Sequence, residues 1–220
     1  VGGRRRGLIV GMFPFMVLER GAAGCVPPED DGAPALPEDG AIALSPSKVL
    51  TLDGDWLLAT DLQDAGRKEG WWKGPVPASR PTRVPWIIQD AFPGYHGVAW
   101  YWREFRMPSG AEAQGRCLLR FWAVDYKADV WLNDAPVGSH EGGETPFVLD
   151  VTGSVRTGSA NRIAVRVLNP SNQPIDGMTL GQTPRRAKVI PYSAGASYDH
   201  GGIVDSVELL VVPRVYIEDL

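Results

Sequence analysis

The sequence predicts an all-β fold, an antiparallel β-sandwich or jelly roll. Glycine (26 residues) and proline (19 residues) make up about one fifth of the chain, and long helices do not persist at that density of turn-forming residues. Several short segments alternate apolar and polar residues with a period of two, which is typical of half-buried strands. No segment keeps the 3.6-residue period of a helix beyond two turns. Short strands separated by turns favour this architecture over any helical one.

The predicted strands begin near residue 48 and continue almost to the C-terminus. They are the segments 49–59, 99–107, 117–122, 127–133, 146–151, 162–168 and 206–212. In the segment 162–168, Ile163, Val165 and Val167 share one face, and Arg162 and Arg166 share the other. The apolar face is therefore expected to be buried and the arginine face to be solvated.

A tight hairpin is predicted directly after the segment 127–133. Ala128, Val130 and Leu132 of that segment are expected to point inward. Asn133 and Asp134 follow, and both residue types tolerate the positive φ angles that a two-residue hairpin turn requires.

Composition argues against several classes of protein. The net charge of −4 and the isoelectric point near 5.4 give no basic surface for a nucleic-acid partner. Two cysteines in 220 residues exclude a disulfide scaffold and a cysteine-rich zinc site. Cys25 and Cys117 are expected to stay unpaired, because Cys117 begins a core strand and Cys25 lies in a separate leader. A chain of this length buries roughly 70% of its unfolded surface, so its core is large enough without cross-links.

Residues 1–25 have the parts of a secretory signal. Arg4–Arg6 precede the apolar run Leu8–Leu18, and small residues lead from there to Cys25. The run is shorter than the roughly 20 residues that span a bilayer. The ending Ala22-Ala-Gly-Cys25 resembles a bacterial lipoprotein signal, which implies lipidation of Cys25, a lipid anchor and a periplasmic or cell-surface location. The alternatives are a leader without a role and a cytoplasmic protein.

Residues 26–47 are predicted to form a disordered tether. The segment is acidic and rich in proline, and it contains no basic residue. A segment of this composition cannot bury enough apolar surface to order itself. The folded domain is therefore expected to span residues 48–213.

From residue 48 onward, motifs follow one another in a recognisable order. Among them are Leu52-Asp-Gly-Asp-Trp56, Val84-Pro-Trp86, Trp100-Tyr-Trp-Arg-Glu-Phe105, Leu119-Arg-Phe-Trp-Ala-Val-Asp-Tyr126, Val130-Trp-Leu-Asn133 and Gly201-Gly-Ile203. Over residues 48–219 this succession resembles the N-terminal sugar-binding domain of glycoside hydrolase family 2, which includes β-galactosidases, β-glucuronidases and β-mannosidases. The resemblance implies a galactose-binding-like jelly roll. Asn133-Asp134 stands where the family usually has Asn-Gly, and Val204-Asp205 stands where it often has an aromatic residue and then Arg or Gln.

The resemblance implies an accessory role in catalysis. In the family, two catalytic glutamates belong to a (β/α)₈ barrel that follows an immunoglobulin-like domain. This sequence has no alternating β/α pattern of that length. The chain is therefore expected to bind a β-glycoside without hydrolysing it, and to complete the substrate site of a barrel that the chain itself lacks. Residues 214–220 would begin the link to the immunoglobulin-like domain.

Other interpretations of the chain stay open. It could be a free-standing exported carbohydrate-binding module, or a structural or interaction domain without affinity for sugar. It could equally be a gene fragment or an early-terminated product. No cofactor is expected under any of these interpretations.

The resemblance points to two loops for sugar contact. The loop before Gly201-Gly-Ile203 reaches the substrate in the family, which makes Asp199 a candidate together with its neighbours Tyr198 and His200. The alternative for Asp199 is a turn-capping role. Tyr95 and His96 precede Trp100 and occupy a similar place.

Aromatic side chains suggest further sugar contacts, because sugars stack on aromatic rings. Trp71 and Trp72 lie in a polar, glycine-flanked stretch and are candidates for that reason. The alternative is that tryptophans pack the sandwich, as expected for Trp56, Trp86, Trp102, Trp122 and Trp131.

The remaining chemistry-bearing residues favour no catalytic or metal site. Ser139, His140 and Glu141 have the residue types of a hydrolytic triad, but neighbours on a strand point to opposite faces. The three histidines have none of the short spacings of zinc sites. The oxygen-rich loop 141–145 could contribute to a structural calcium site, with solvation as the alternative. No metal is expected.

Overall fold

The computed structural model describes residues 48–109, 115–183 and 200–214, all of which belong to the unit Ala43–Leu220. The leader and the tether predicted for residues 1–47 lie outside the described residues, and so do Cys25, Tyr198 and Asp199. The described strands are β1 (Lys48–Thr51), β2 (Gly54–Asp61), β3 (Arg80–Val84), β4 (Gly97–Arg106), β5 (Arg116–Phe121), β6 (Val124–Asp125), β7 (Lys127–Leu132), β8 (Ala135–Glu141), β9 (Phe147–Asp150), β10 (Ala160–Asn169), β11 (Gly202–Ile203) and β12 (Val207–Val212).

Two antiparallel sheets form the predicted sandwich. The four-stranded sheet has the order β1-β12-β5-β9, and the six-stranded sheet has the order β3-β2-β4-β10-β7-β8. β6 and β11 pair in a separate short ladder. The described helices are single turns: α1 (Gly66–Glu69), η1 (Trp71–Lys73), α2 (Ile88–Ala91) and η2 (Leu180–Gln182). The all-β, antiparallel prediction is confirmed, and no helix among the described residues has the length and hydropathy to cross a membrane.

The main core contains residues from both sheets. Leu58, Tyr101 and Val165 of the six-stranded sheet and Leu119 and Leu209 of the four-stranded sheet are fully buried in one cluster. The alternating residues predicted to point inward in β7 and β10 belong to the same cluster: Ala128, Val130, Leu132, Ile163, Val165 and Val167. Cys117 of β5 is also buried there, as expected for a core cysteine.

The strand predicted over residues 49–59 is in fact two strands that belong to different sheets. The chain passes from β1 to β2 at Leu52 and Asp53. The Asp53 carboxylate accepts hydrogen bonds from the Ser206 hydroxyl (2.9 Å) and the Val207 amide (2.8 Å). These bonds hold the crossover against the start of β12, whereas the alternation of residues continues through it and gives no sign of the break.

A second apolar cluster covers the outer face of the six-stranded sheet. It contains Trp100 and Trp102, which are 0% and 2% exposed. Trp71 and Trp72 of η1 pack against it, as do Ile175 and Met178 of the segment after β10. Only the part of this face that belongs to the segment 162–168 was expected to be solvated, and the two covering segments bury it.

Arg166 of β10 lies on the strand face that was expected to be solvated. Its side chain is fully buried on the outer face, where solvation was expected. The guanidinium lies 2.7 Å from Asp64, 3.2 Å from Asp129 and 3.0 Å from Asp176. Three carboxylates thus compensate the buried charge, which explains how a strand with an outward arginine is buried on both faces.

Two tryptophans that were expected to pack the sandwich remain partly exposed. Trp86 is 38% exposed and Trp122 is 40% exposed. Trp122 lies beyond the end of β5, where the Arg120 guanidinium stacks on its ring at 4.5 Å and its indole donates to Glu208 (2.9 Å). An amphipathic ring with a polar partner tolerates such a position.

Candidate functional site

One end of the six-stranded sheet brings several of the candidate residues together. Gly97 pairs with Asn169, and Lys127 pairs with both Leu168 and Glu141. β4 and β7 therefore begin at this end, and β8 and β10 finish there. The segments 88–96 and 200–203 pack at the same place, and we call this region the Asn169 end.

Asn169 is the centre of a buried polar cluster. Its side chain is fully buried, and its Oδ1 accepts a hydrogen bond from Gln89 Nε2 (3.0 Å). Gln89 Nε2 also donates to the carbonyl of Tyr95 (2.7 Å), so a single amide joins α2, the loop before β4 and the end of β10. The Tyr95 hydroxyl donates to the carbonyl of Val98 (2.6 Å). These bonds fix the loop that carries Tyr95 and His96.

The segment 200–203 is held in place from two sides. The amides of Trp86 and Ile88 donate to the carbonyls of Ile203 (2.9 Å) and Gly201 (2.8 Å). On the other side, β11 pairs with β6, with Gly202 opposite Asp125. His200, which begins this segment, is consequently fixed next to the polar cluster.

Gly201 fits this position because it has no side chain. A Cβ atom at this residue would lie 2.3 Å from the Cβ of Asn169, far closer than two carbon atoms approach without displacement. A glycine is therefore required for the segment before β11 to pass over Asn169.

Two buried amide atoms in this cluster have unused hydrogen-bonding capacity. Within the described part of the chain, Gln89 Oε1 and Asn169 Nδ2 have no hydrogen-bond partner. Buried polar atoms are rarely left unsatisfied in native proteins. One acceptor and one donor are thus present beside the loop that carries Tyr95.

An open groove adjoins this cluster. It has a volume of about 430 Å³, and Leu62, Arg80, Phe92 and Tyr95 line it. The Arg80 guanidinium stacks over the Phe92 ring at 4.7 Å, which leaves a flat surface of aromatic and cationic character. Burial raises the pKa of Tyr95 to about 12, so its hydroxyl stays protonated at neutral pH and continues to donate to Val98. Tyr95 thus lines the groove while its hydroxyl is bound to the Val98 carbonyl.

Trp71 and Trp72 lie in the outer-face cluster. The Trp71 ring lies 6.3 Å from the Trp100 ring, and its indole donates to Glu69 (2.9 Å). Trp72 stacks on Trp131, with ring centroids 5.9 Å apart and an angle of 14° between the planes. Both residues are half-buried. The structure therefore places them against the sheet, and sugar contact by either residue stays a prediction.

The oxygen-rich loop 141–145 is held by contacts of its own. The His140 ring stacks on Phe147 at 4.4 Å, and its Nε2 lies 2.8 Å from the Thr145 hydroxyl. The Tyr126 hydroxyl donates to Glu141 (3.2 Å). Among the described residues, no three His, Cys, Asp or Glu side chains lie close enough together to hold a metal ion.

The profile of the family described as "Glycosyl hydrolases family 2, sugar binding domain" matches residues 84–213. The match covers more than half of the chain and includes every segment of the Asn169 end. The chain belongs to this family.

Relatives of this sugar-binding domain are much longer proteins. The β-glucuronidase of Canis lupus familiaris is 30% identical over an alignment of 192 residues, and the match covers 77% of this chain and 29% of that protein. The β-glucuronidase of Paenibacillus borealis is 34% identical over an alignment of 130 residues, and the match covers 57% of this chain and 22% of that protein. The chain therefore spans less than a third of these curated relatives.

Solved structures show the same relationship. The apo β-glucuronidase of Ruminococcus gnavus superposes with a TM-score of 0.62 at 25% identity, and the match covers 76% of this chain and 29% of that one. The same enzyme in complex with D-glucuronic acid gives a TM-score of 0.61, with 76% and 30% coverage. The resemblance to family 2 inferred from the motifs is thus confirmed.

Sequence reasoning missed Gln89 and Asn169, which organise this end of the family 2 domain. Asn169 directly follows the strand predicted over residues 162–168. A polar residue at the end of a buried strand is a signal that could have marked it as a candidate. Gln89 lies in α2, a helix of four residues, which is too short to give a periodic pattern.

Proposed function

We propose that this chain is the non-catalytic N-terminal sugar-binding domain of a family 2 β-glycosidase of the β-glucuronidase type. Its Asn169 end would complete the substrate site of a separate catalytic barrel. The observation that carries this proposal is the fixed position of the segment 200–203 over Asn169. That segment follows the loop which the family resemblance assigns to substrate contact.

The buried and half-buried carboxylates support an accessory role. Hydrolysis with retention needs two carboxyl groups about 5–5.5 Å apart, one protonated and one ionised. Asp61 accepts hydrogen bonds from the amides of Ala65 (2.9 Å) and Gly66 (2.8 Å) and from the indole of Trp100 (3.0 Å). The three carboxylates around Arg166 are paired with its charge. These four carboxylates are therefore engaged in contacts within the fold, which favours structural roles for them over catalytic ones.

The polar cluster and its groove support contact with part of a sugar. The groove combines the Arg80 guanidinium with the rings of Phe92 and Tyr95, and the polar cluster holds Tyr95 in place from behind. Together they resemble the mixture of polar and apolar groups in a ligand site. Because the groove is open, it would leave much of a ligand in water, so affinity in the isolated domain should be weak, in about the millimolar range.

Two measurements test this function. The purified chain should release no nitrophenol from nitrophenyl β-glucuronide, β-galactoside or β-mannoside above a blank. In NMR titrations with methyl β-D-glucuronide, the amides of Gln89, Tyr95 and Gly201 should shift. Turnover that disappears when a carboxylate of this chain is mutated would contradict the accessory role. An absence of shifts at the Asn169 end would favour a structural domain without sugar affinity.

A further inference from the structure

A second cavity lies on the outer face of the six-stranded sheet. It has a volume of about 340 Å³, which is within the usual range of small-molecule sites. Its lining comes from β2, β3, β4, β10 and the segment after η1: Asp55, Trp56, Leu57, Pro75, Pro81, Trp102, Arg103, Glu104 and Arg162. We call it the outer groove.

Strand register gives the outer groove one apolar wall. Leu57 pairs with Pro81 on one side and with Trp102 on the other, so the three residues form a row across the sheet. Pro75 contributes from the covering segment. Trp102 is buried and its indole donates to the carbonyl of Trp71 (2.7 Å), so the floor of the groove is rigid.

The next row along the strands gives a charged wall. Glu104 pairs with Arg162 in register, and Asp55 lies two residues before Leu57 on the same face. The side chains of Asp55 and Glu104 are 88% and 70% exposed. Their carboxylates therefore keep accepting capacity that a ligand can use.

Two arginines add donors to the same groove. Arg103 Nη1 donates to the carbonyl of Asp55 (2.9 Å), and Arg162 Nη1 donates to the carbonyl of Lys73. The Nε atoms of both guanidinium groups are buried, and neither has a hydrogen-bond partner among the described residues. Arg162 Nε lies 3.6 Å from Glu104 Oε1, an ion-pair distance that is too long for a hydrogen bond.

These groups define the chemistry of the ligand. Asp55 also pairs with Arg83 (3.2 Å), and Arg162 lies 4.0 Å from Asp134. Three carboxylates and three guanidinium groups therefore balance in charge around the groove, which does not favour an anionic ligand. Carboxylates accept hydrogen bonds from hydroxyl groups, guanidinium groups donate to hydroxyl oxygens, and an apolar wall fits the C–H face of a pyranose. We propose that the outer groove is a second carbohydrate-binding site, specific for a neutral hexopyranose residue.

The two sites can be tested separately in one experiment. The isotope-labelled chain is titrated with methyl β-D-galactoside, methyl β-D-glucoside and methyl β-D-mannoside, and in parallel with methyl β-D-glucuronide. At least one neutral glycoside should shift the amides of Leu57 and Glu104 and the indole of Trp102. The glucuronide should leave these signals unchanged. Shifts at Gln89, Tyr95 and Gly201 report on the Asn169 end. Binding at each site is therefore detected separately, and the absence of binding at one site does not affect the test of the other.

Variants of one exposed side chain decide the assignment. Glu104→Ala should weaken binding at the outer groove by about tenfold or more, because it removes a charged acceptor. Glu104→Gln keeps an acceptor and should lose less. Asp90→Ala, an exposed acid on α2, is the matched control and should bind as the unmodified chain does. The proposal is overturned if no neutral glycoside shifts these signals, if Glu104→Ala binds normally, or if only the glucuronide binds there.

Discussion

The side-chain amide of Asn133 donates a hydrogen bond to the side chain of Asn161, 2.7 Å away. It also donates to the carbonyl of Ser154 (2.8 Å), while its oxygen accepts from the amide of Arg162 (3.0 Å). Asn133 and Asp134 have φ angles of 49° and 72°, as the two-residue hairpin between β7 and β8 requires. Asn133 therefore joins the hairpin to β10 as well as forming the turn.

Two substitutions of Asn133 separate these roles. Asn133→Gly keeps the backbone conformation and loses the hydrogen bonds, which should lower the free energy of unfolding by about 1–2 kcal/mol. Asn133→Ala loses the same bonds and adds strain, for a total of about 2–3 kcal/mol. Urea denaturation measures both changes. Full stability of the glycine variant would show that the side-chain bonds contribute nothing.

Gly201→Ala should strain the Asn169 end. The new methyl group would displace the side chain of Asn169, and overpacking of this kind costs about 1–3 kcal/mol. The amides of Gln89 and Tyr95 should shift in the spectrum of the variant. Gly153→Ala is the control, since a Cβ atom there meets nothing within 4 Å. Equal melting temperatures for the two variants would contradict the close packing.

Arg166→Met should be among the most destabilising single changes on the outer face. The variant leaves the carboxylates of Asp64, Asp129 and Asp176 without their buried cation, at a cost of about 3–5 kcal/mol. Arg67→Met also removes a partner of Asp129 and Asp176. Because the Arg67 side chain is 40% exposed, that change should cost only about 1 kcal/mol or less. Similar losses for both variants in chemical denaturation would show that burial of Arg166 is unimportant.

Asp150 should make stability depend on pH in acid. Hydrogen bonds from the hydroxyl and amide of Thr152, with Arg116 nearby, lower the pKa of Asp150 from 3.8 to about 2. A lowered pKa in the folded state stabilises the fold above the unfolded pKa, and this contribution is lost as pH falls from about 4 to 2. Since the side chain is 47% exposed, the contribution should stay below about 1 kcal/mol.

The measurement for Asp150 is the stability of Asp150→Asn between pH 7 and pH 2. The variant should be less stable than the unmodified chain at neutral pH, and the difference should close on acidification. Asp90→Asn serves as the exposed control. If the difference in stability between Asp150→Asn and the unmodified chain is constant across this pH range, the charge of Asp150 does not contribute to stability.

Alternation along single strands predicted the core of the sandwich because inward positions in β7 and β10 are set by local geometry. The crossover at Asp53 could not be predicted in this way, since its cause is a carboxylate bound to Ser206 and Val207, far away in the sequence. The burial of Arg166 could not be predicted from the sequence for a similar reason. Its partners Asp64 and Asp176 lie in irregular segments that carry no periodic pattern.

The candidate site was predictable only in part. The resemblance pointed to Tyr95, His96 and His200, and the described structure places all three at one end of the sheet. Gln89 and Asn169 were not predicted, because their roles depend on a hydrogen bond between residues from separate parts of the chain.

The edge strands of the six-stranded sheet have a consequence for association between copies of the chain. Pro81 lies in β3 and Pro136 in β8, the two outermost strands. Proline has no amide hydrogen to offer an incoming strand, and edge prolines discourage intermolecular pairing and aggregation. Among the described residues, the outermost strands β1 and β9 of the four-stranded sheet contain no proline, so pairing between copies is discouraged most at the sheet that carries both proposed sugar sites.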